Sequence, residues 1–265
     1  MRENRKSSRR EWIDDVGLFS RSRSRLAAEK GAENPQGVER MKILVACEES
    51  QAVCKEMRRL GHDAYSCDIM ECSGGYPQWH IMGDVLPLLN GDCYFKTMDG
   101  IAHVITGKWD MIVAFPPCTY LSNAGACRLY PSKGQLNMER YNKGLEAKKF
   151  FMQFLNADCP RIAVENPVSS RVFEMPQYTQ EIQPYMFGHP YTKKTRLWLR
   201  GLPPLTPTDE VTPISPYCPA GTGRKDRNKY GAAKRGEDAK NRAKTFPGIA
   251  RAMAEQWAGE CEVTT

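Results

Sequence analysis

An unbroken apolar run at residues 111–115, MIVAF, restricts the fold more than any other feature of this 265-residue chain. A strand that is apolar at every position has both faces buried, which is typical of a parallel sheet covered by helices. A second run, KILVA at residues 42–46, has the same pattern. Elsewhere apolar residues recur at helical spacing, so strands alternate with helices. We therefore predict an α/β domain with an open, mostly parallel sheet.

The remaining predicted elements follow from the same periodicities and from helix stop signals. Gly61 ends the first helix, because glycine readily adopts the left-handed conformation that closes helices. The further predicted strands cover residues 64–67, 79–82, 161–164 and 195–199, and the predicted helices cover residues 50–60, 139–155 and 248–257. No internal repeat is visible in the sequence.

Polar or reactive residues directly follow five of the predicted strands. In open α/β sheets, ligands bind beyond the carboxyl ends of the strands. One such residue is usually a cap or a turn residue, but five in one sheet indicate a binding site. The residues are Cys47-Glu48-Glu49, Asp68, Asp84, Pro116-Pro117-Cys118 and Glu165-Asn166.

Positive charge is concentrated in one stretch of the chain. The formal net charge is +7, and residues 223–245, called the basic segment below, contain nine Lys or Arg and three acids. A stretch of this composition suits the phosphate backbone of a nucleic acid. A solvated loop has the same composition, so both interpretations stay open at this point.

Composition argues against several other classes of protein. No stretch approaches the roughly 18 apolar residues of a membrane span, and the basic N-terminus lacks the apolar region of a secretory signal. The ten cysteines include no CxxC pair and the four histidines are dispersed, so we predict no metal site. We expect a cytoplasmic protein with reduced thiols, in which residues 1–40 form a polar, disordered tail.

Three short motifs contain the candidate chemistry. Two prolines fix the backbone before Cys118, so its thiol is a candidate nucleophile, although a buried structural cysteine fits the same triplet. Glu165 ends an apolar strand and is a candidate general acid, or a loop carboxylate. The basic stretch at residues 192–199 could steer a phosphate, position a thiolate or form an exposed cationic edge.

In this order, PPC at residues 116–118, ENP at 165–167 and Lys194-x-Arg196 resemble motifs IV, VI and VIII of the cytosine-5 DNA methyltransferases, which usually read PPC, ENV and QxRxR. The resemblance covers about residues 41–200. It implies a Rossmann-like, S-adenosylmethionine-dependent methyltransferase sheet with helices on both faces. It also implies S-adenosylmethionine as donor, double-stranded DNA as partner and a monomer in a bacterial or phage-infected cell.

The resemblance assigns roles to individual residues. Cys118 would attack carbon 6 of a flipped-out cytosine, Glu165 would hold or protonate ring nitrogen 3, and Arg196 would contact the base and the thiolate. Asp68 would take the ribose hydroxyls of the donor and Asp84 its adenine amino group. The other implied residues are Pro117 and Asn166 in the catalytic motifs, Cys47, Glu48, Ser50, Ile69, Phe115 and Pro116 at the cofactor, and Lys194, Lys225, Arg227, Lys229, Lys234 and Arg235 at the nucleic acid.

The sequence departs from the family pattern in two places. The glycine-rich first motif is replaced by ACEES at residues 46–50. Its two glutamates could cap the following helix or attract the cationic part of the donor, and a modified S-adenosylmethionine is an alternative donor. The predicted catalytic domain (41–204) is followed by a reduced target-recognition region (205–245) and a closing helix (246–265), much as in compact phage enzymes.

Two other functions fit the same motifs. The thiol chemistry would serve any pyrimidine, so the chain could modify a nucleotide or RNA. A relative that has lost catalysis could bind nucleic acid alone, although keeping thiol, carboxylate and arginine together speaks against this. Uptake of label from S-adenosylmethionine into DNA, RNA or dCTP separates these functions.

Overall fold

The computed structural model describes residues 40–217 and 243–259. The predicted tail, except Arg40, and most of the basic segment lie outside the described residues. Within the described ranges, no helix has both the length and the apolar character needed to cross a membrane.

The strands are β1 (Lys42–Ala46), β2 (Asp63–Asp68), β3 (His80–Met82), β4 (Cys93–Lys96), β5 (Ala102–Ile105), β6 (Met111–Ala114), β7 (Ile162–Pro167), β8 (Gln180–Ile182), β9 (Tyr191–Thr192), β10 (Thr195–Arg200) and β11 (Ser215–Pro216). The helices are α1 (Ala52–Arg59), α2 (Ala126–Leu129), α3 (Met138–Leu155) and α4 (Pro247–Ala258). One α-helix separates β1 from β2 and two separate β6 from β7, whereas β2 to β6 follow one another without an α-helix.

Seven strands form one sheet in the order β3-β2-β1-β6-β7-β10-β8. The pairs β3–β2, β2–β1, β1–β6 and β6–β7 are parallel, whereas β10 is antiparallel to both β7 and β8. The carboxyl ends of β1, β2, β3, β6 and β7 therefore meet at one edge of the sheet. The α/β Rossmann-like fold predicted from the sequence is confirmed.

Helices cover both faces of the sheet. On one face, Val53 and Met57 of α1 and Ile249 of α4 are buried against alternate residues of the central strands. On the other face, Phe151 and Phe154 of α3 pack against the remaining central-strand residues. The continuous apolar runs are thus buried on both sides, which explains why they lack the alternation of a half-exposed strand.

Local sequence signals set the helix ends. Asn137 caps α3, because its side chain accepts a hydrogen bond from the amide of Arg140 at 3.0 Å. Gly61 follows α1 with φ +88°, a conformation that favours glycine. Pro247 opens α4, where the missing amide proton costs nothing.

The structure also corrects the predicted elements. β7 continues past Val164 to Pro167, because its antiparallel ladder with β10 pairs Glu165 with Leu197 and Pro167 with Thr195. Glu165 is therefore within a strand and does not follow one. The hairpin β4–β5 and the short strands β8, β9 and β11 were not predicted.

Candidate active site

The carboxyl edge of the parallel strands gathers the residues predicted for a cofactor. Cys47 follows β1, Asp68 ends β2 and Asp84 lies two residues after β3. Burial raises the pKa of the Cys47 thiol well above its usual range, and the nearby carboxylates of Asp68 and Asp84 raise it further. The three residues are thus electrostatic neighbours, as adjacent strand ends in one sheet require.

The backbone between β1 and α1 adopts left-handed conformations without glycine. Cys47 has φ +58° and Gln51 has φ +56°, which costs about 1–2 kcal/mol for each residue that is not glycine. The side chain of Gln51 donates to the carbonyl of Tyr76 at 2.8 Å and accepts from its amide at 3.0 Å. These bonds tie the loop after β2 to the turn before α1.

Gly74 marks where the two loops cross. A Cβ atom at this position would lie 2.6 Å from the carbonyl oxygen of Ser50 and 2.6 Å from Cβ of Gln51. Only glycine allows this approach. Gly74 therefore allows the loop after β2 to pack directly on the turn before α1.

Glu48 caps helix α1. Its carboxylate accepts hydrogen bonds from the amide of Val53 at 2.7 Å and from the amide of Cys54 at 3.2 Å. Burial raises the pKa of Glu48 to about 7, against the lowering effect of these two amides. Of the two roles open from the sequence, the contacts match the helix cap. Ser50 also turns towards the helix, since its hydroxyl accepts from the amide of Ala52 at 3.4 Å.

The neighbouring residues suit the donor implied by the resemblance. Burial raises the pKa of Asp68, whose carboxylate accepts from the amide of Met70 at 3.0 Å. The side chain of Ile69 is 80% exposed beside it. Two carboxylates can accept hydrogen bonds from the hydroxyl and amino groups of a nucleoside, and an exposed apolar side chain can contact its flat ring.

Cys118 begins a tight turn after β6. Pro116 is buried, Pro117 is exposed and the Cys118 side chain is partly exposed. The carbonyl of Cys118 accepts from the amides of Leu121 at 3.1 Å and Ser122 at 2.8 Å. The two prolines thus connect the buried strand β6, which neighbours β7, to the Cys118 thiol at the carboxyl edge of the sheet.

Glu165 lies in a small cleft between the sheet and the start of α4. Phe115, Lys193 and Phe246 line the same cleft. Burial raises the pKa of the Glu165 carboxyl, and the ammonium of Lys193 opposes the shift. A carboxyl with a raised pKa keeps its proton to higher pH, which suits a general acid.

Asn166 is the next residue of β7 and contacts the loop that follows this strand. Its side chain is fully buried, and its amide nitrogen donates to the carbonyl of Pro167 at 2.7 Å and to the hydroxyl of Ser169 at 2.8 Å. These contacts hold Asn166 in place beside the candidate acid, its side-chain oxygen has no hydrogen-bond partner among the described residues, and a catalytic role stays a prediction.

Arg196 is not brought to Glu165. In the β7–β10 ladder Arg196 pairs with Asn166, and Glu165 pairs with Leu197. Because side chains alternate between the faces of a strand, Arg196 and Glu165 leave the sheet on opposite sides. The register of the ladder thus separates the two side chains, and a joint contact with one base stays a prediction.

The side chain of Arg196 is instead fixed by residues of the preceding strand region. Its Nε lies 3.3 Å from the carboxylate of Glu181, and its guanidinium lies 4.3 Å from the centre of the Tyr178 ring. Lys194 Nζ reaches the same carboxylate at 3.1 Å. Both cations of the Lys194-x-Arg196 element therefore share Glu181.

Comparisons with known proteins add little to this geometry. No protein-family model matches the chain, and no curated protein matches it in sequence. A solved structure described as a candidate DNA modification methyltransferase from an Escherichia coli prophage shares 13% identity and a TM-score of 0.36 over 65% of this chain and 53% of the other. The Entamoeba histolytica methyltransferase EhMeth shares 12% identity and a TM-score of 0.38 over 65% of this chain and 58% of the other.

This chain therefore spans less than two thirds of either solved chain, and likenesses this weak do not bear on its activity. The fold assignment rests on the strand order and register described above. In the described ranges, no group of three His, Cys, Asp or Glu side chains could hold a metal ion. Lys225, Arg227, Lys229, Lys234 and Arg235 lie outside the described residues.

Sequence reasoning missed three residues around the candidate acid and arginine. Lys193 faces Glu165, and Glu181 and Tyr178 hold Arg196. Lys193 belongs to the basic stretch predicted at residues 192–199, but nothing in that stretch singles it out, because it lies in the turn between β9 and β10. Nothing local marks Glu181 or Tyr178, because their contacts depend on the β8–β10 pairing.

Proposed function

We propose that the chain is a DNA cytosine-5 methyltransferase that acts through a covalent bond between Cys118 and the target base. The observation that carries this proposal is the placement of Cys118 and Glu165. Cys118 follows β6 and Glu165 lies near the end of β7, and these adjacent parallel strands end at the edge where Asp68 and Asp84 form the candidate nucleoside site.

The chemistry of cytosine requires such a pair. Carbon 5 of the ring is a poor nucleophile until a thiolate adds to carbon 6. In this step Cys118 Sγ forms a bond to carbon 6, the electrons of the 5,6 double bond shift towards nitrogen 3, and Glu165 gives its proton to that nitrogen. The resulting enamine is nucleophilic at carbon 5.

Glu165 is suited to this role by its surroundings. The cleft that Phe115 and Phe246 line buries the carboxyl and raises its pKa, a shift in the direction that suits a group which gives a proton to nitrogen 3. Lys193 limits the shift and would stabilise the carboxylate left after transfer. Glu165 can thus hold a proton, and Lys193 can balance the negative charge that remains on Glu165 after the proton has left.

S-adenosylmethionine fits the residues at the other end of the edge. Asp68 would take the ribose hydroxyls, Asp84 the adenine amino group and Ile69 a face of the adenine ring. When bound, this cofactor supplies an electrophilic methyl group for carbon 5. Glu48, which caps α1, would act on the cofactor only through the position of the loop.

Duplex DNA is the proposed substrate. The target base must leave the stack before a thiol can reach carbon 6, and the basic segment would hold the phosphate backbone meanwhile. The same thiol chemistry would act on a free nucleotide or on RNA, and uptake of label from S-adenosylmethionine into DNA, RNA or dCTP distinguishes these substrates.

Trapping tests the proposal directly. A duplex that contains 5-fluorocytosine should form a stable adduct in the presence of S-adenosylmethionine, because fluorine cannot leave carbon 5 as a proton does. Wild type should form the adduct and Cys118→Ser should not. Cys72→Ser, which changes another partly exposed thiol, is the matched control.

The adduct should map to Cys118 by peptide mass spectrometry. Mapping to Cys47 or Cys127 would overturn the assignment of the nucleophile. Label from S-adenosylmethionine should enter DNA, whereas label in RNA or dCTP alone would move the substrate to that class. No transfer to any of the three, with intact binding to DNA, would favour a non-catalytic nucleic-acid-binding protein.

A further inference from the structure

A cavity of about 540 Å³ lies on the side of the sheet to which Arg196 points. Its walls include Asn123, Tyr130, Ser169, Ser170, Arg171 and Arg196. This volume is within the range of about 300–1,000 Å³ that is typical of small-molecule sites. The cavity is separate from the Glu165 cleft, because Arg196 and Glu165 project from opposite faces of the sheet.

The cavity is built between the loops that follow the two candidate catalytic strands. The amide of Asn123 donates to the carbonyl of Val168 at 2.7 Å, and the amide of Ser170 donates to the carbonyl of Leu121 at 2.8 Å. Ser122 and Ser169 form an isolated bridge between the same loops. These bonds join the loop that starts at Cys118 to the loop that follows Glu165.

The cavity and its edge carry an excess of positive charge. Arg171, Lys194 and Arg196 are cationic, and Glu181 is the carboxylate that pairs with the last two. Among the described residues, no carboxylate lies within ion-pair distance of the exposed Arg171. Three cations against one carboxylate leave a local charge of +2, and Arg171 is the guanidinium available to an anion.

The other walls suit a phosphate and its nucleoside. Ser169 and Ser170 bring hydroxyl groups, and Asn123 brings an amide. Phosphate oxygens in nucleic-acid complexes are bound mostly by arginine, lysine and such small polar side chains. The ring of Tyr130 is 41% exposed at the same cavity, and an exposed aromatic ring is a surface on which a base can stack.

We propose that this cavity binds a phosphate group of the pyrimidine substrate, with Arg171 as its main ligand and Arg196, held by Glu181 and Tyr178, beside it. The inference rests on the proposed function, because it takes the bound anion to belong to that substrate. A guanidinium binds a phosphate through two parallel hydrogen bonds, so one arginine can fix its orientation as well as its charge. Arg196 is then a phosphate ligand on the face opposite Glu165.

The phosphate could belong to a free nucleotide or to a DNA strand, and two binding measurements distinguish them. The first compares dCMP with deoxycytidine by calorimetry, without a methyl donor. The second follows the affinity for a cytosine-containing duplex against salt concentration. Arg171→Gln should weaken binding of dCMP about tenfold or more, the scale of a lost charge-assisted hydrogen bond, or should lower the duplex salt slope by about 0.9, the value for one phosphate.

Arg251→Gln is the matched control, since Arg251 is an exposed arginine of α4. It should change neither measurement, and circular dichroism should show that both variants fold. An effect on dCMP alone identifies a nucleotide site, and an effect on the duplex alone identifies a strand site. The proposal is overturned if Arg171→Gln matches wild type in both measurements, or if dCMP binds no better than deoxycytidine and the duplex affinity does not depend on salt.

The two proposals fail in different ways. If the Cys118 adduct forms but Arg171→Gln has no effect, the phosphate site is wrong and the proposed function stands. If Arg171→Gln removes phosphate-dependent binding but no adduct forms, the phosphate site stands and the reaction is wrong.

Discussion

Replacing Glu48 by glutamine should change how the stability of the protein depends on pH. Glu48 is 4% exposed, and burial raises its pKa from the ordinary value of 4.5 to about 7. The folded protein therefore binds the proton more tightly than the unfolded chain does. The stabilisation of the folded state by this bound proton is fully present below about pH 4.5 and is lost as the pH rises through about 7.

The size of the effect follows from the same two values. Each pH unit between the folded and unfolded pKa is worth about 1.4 kcal/mol, so ionisation of Glu48 should cost the folded state about 3 kcal/mol by pH 8. Glutamine does not ionise, but it keeps only one of the two acceptor oxygens, so one of the amides of Val53 and Cys54 loses its hydrogen bond at every pH. Glu48→Gln should thus be less stable than wild type near pH 4.5, by about 1–3 kcal/mol for an unmatched amide, and should gain stability relative to wild type as the pH rises.

Urea unfolding at several values between pH 4.5 and 8 measures this difference. Glu71→Gln is the control, because Glu71 is exposed. The free energy of unfolding of Glu48→Gln relative to wild type should rise with pH, while that of Glu71→Gln should stay constant. Parallel curves for wild type and Glu48→Gln would refute the assignment of a buried, proton-binding cap.

Donor binding gives a second, independent readout. Because both carboxylate oxygens of Glu48 face the helix, Glu48→Gln should leave the affinity for S-adenosylmethionine nearly unchanged. A variant that loses donor binding with an unaltered stability profile would instead make Glu48 a cofactor ligand.

Three further predictions concern the candidate acid, the cofactor and the basic segment. Glu165→Gln should slow adduct formation about 10²-fold or more. Because Lys193 lowers the pKa of Glu165, Lys193→Met should move the alkaline limb of the rate profile to higher pH. Lys194, whose ammonium pairs with Glu181, is the control: Lys194→Met should leave that limb in place, and equal shifts in both variants would contradict the pairing of Lys193 with Glu165. Asp68→Ala should weaken S-adenosylmethionine binding in calorimetry by about 1–3 kcal/mol, and an unchanged affinity would exclude this donor site. Replacing the five cations of the basic segment named above by glutamine should lower the duplex salt slope by up to about 0.9 for each without altering donor affinity, whereas an unchanged slope would make the segment a solvated loop.

The general plan of the molecule could be predicted from sequence. The apolar runs at 42–46 and 111–115 are long enough and uniform enough to require a sheet buried on both faces, and β1 has the predicted bounds. Parallel strands place their carboxyl ends together, so Cys47, Asp68 and Asp84 had to become neighbours once the strands were assigned. Periodicity depends on local composition, which a single sequence contains, whereas the order of the strands in the sheet is known only from the structure.

Which side chains meet across the sheet was decided by tertiary structure. The Lys194-x-Arg196 element and the ENP triplet are visible in the sequence, but the pairing of Arg196 with Asn166 is not. Side chains alternate with a period of two, so a shift of one residue in the β7–β10 ladder would exchange the two faces and bring Arg196 beside Glu165. That register depends on packing along the whole ladder, and it separates the Glu165 cleft from the cavity lined by Arg171 and Arg196.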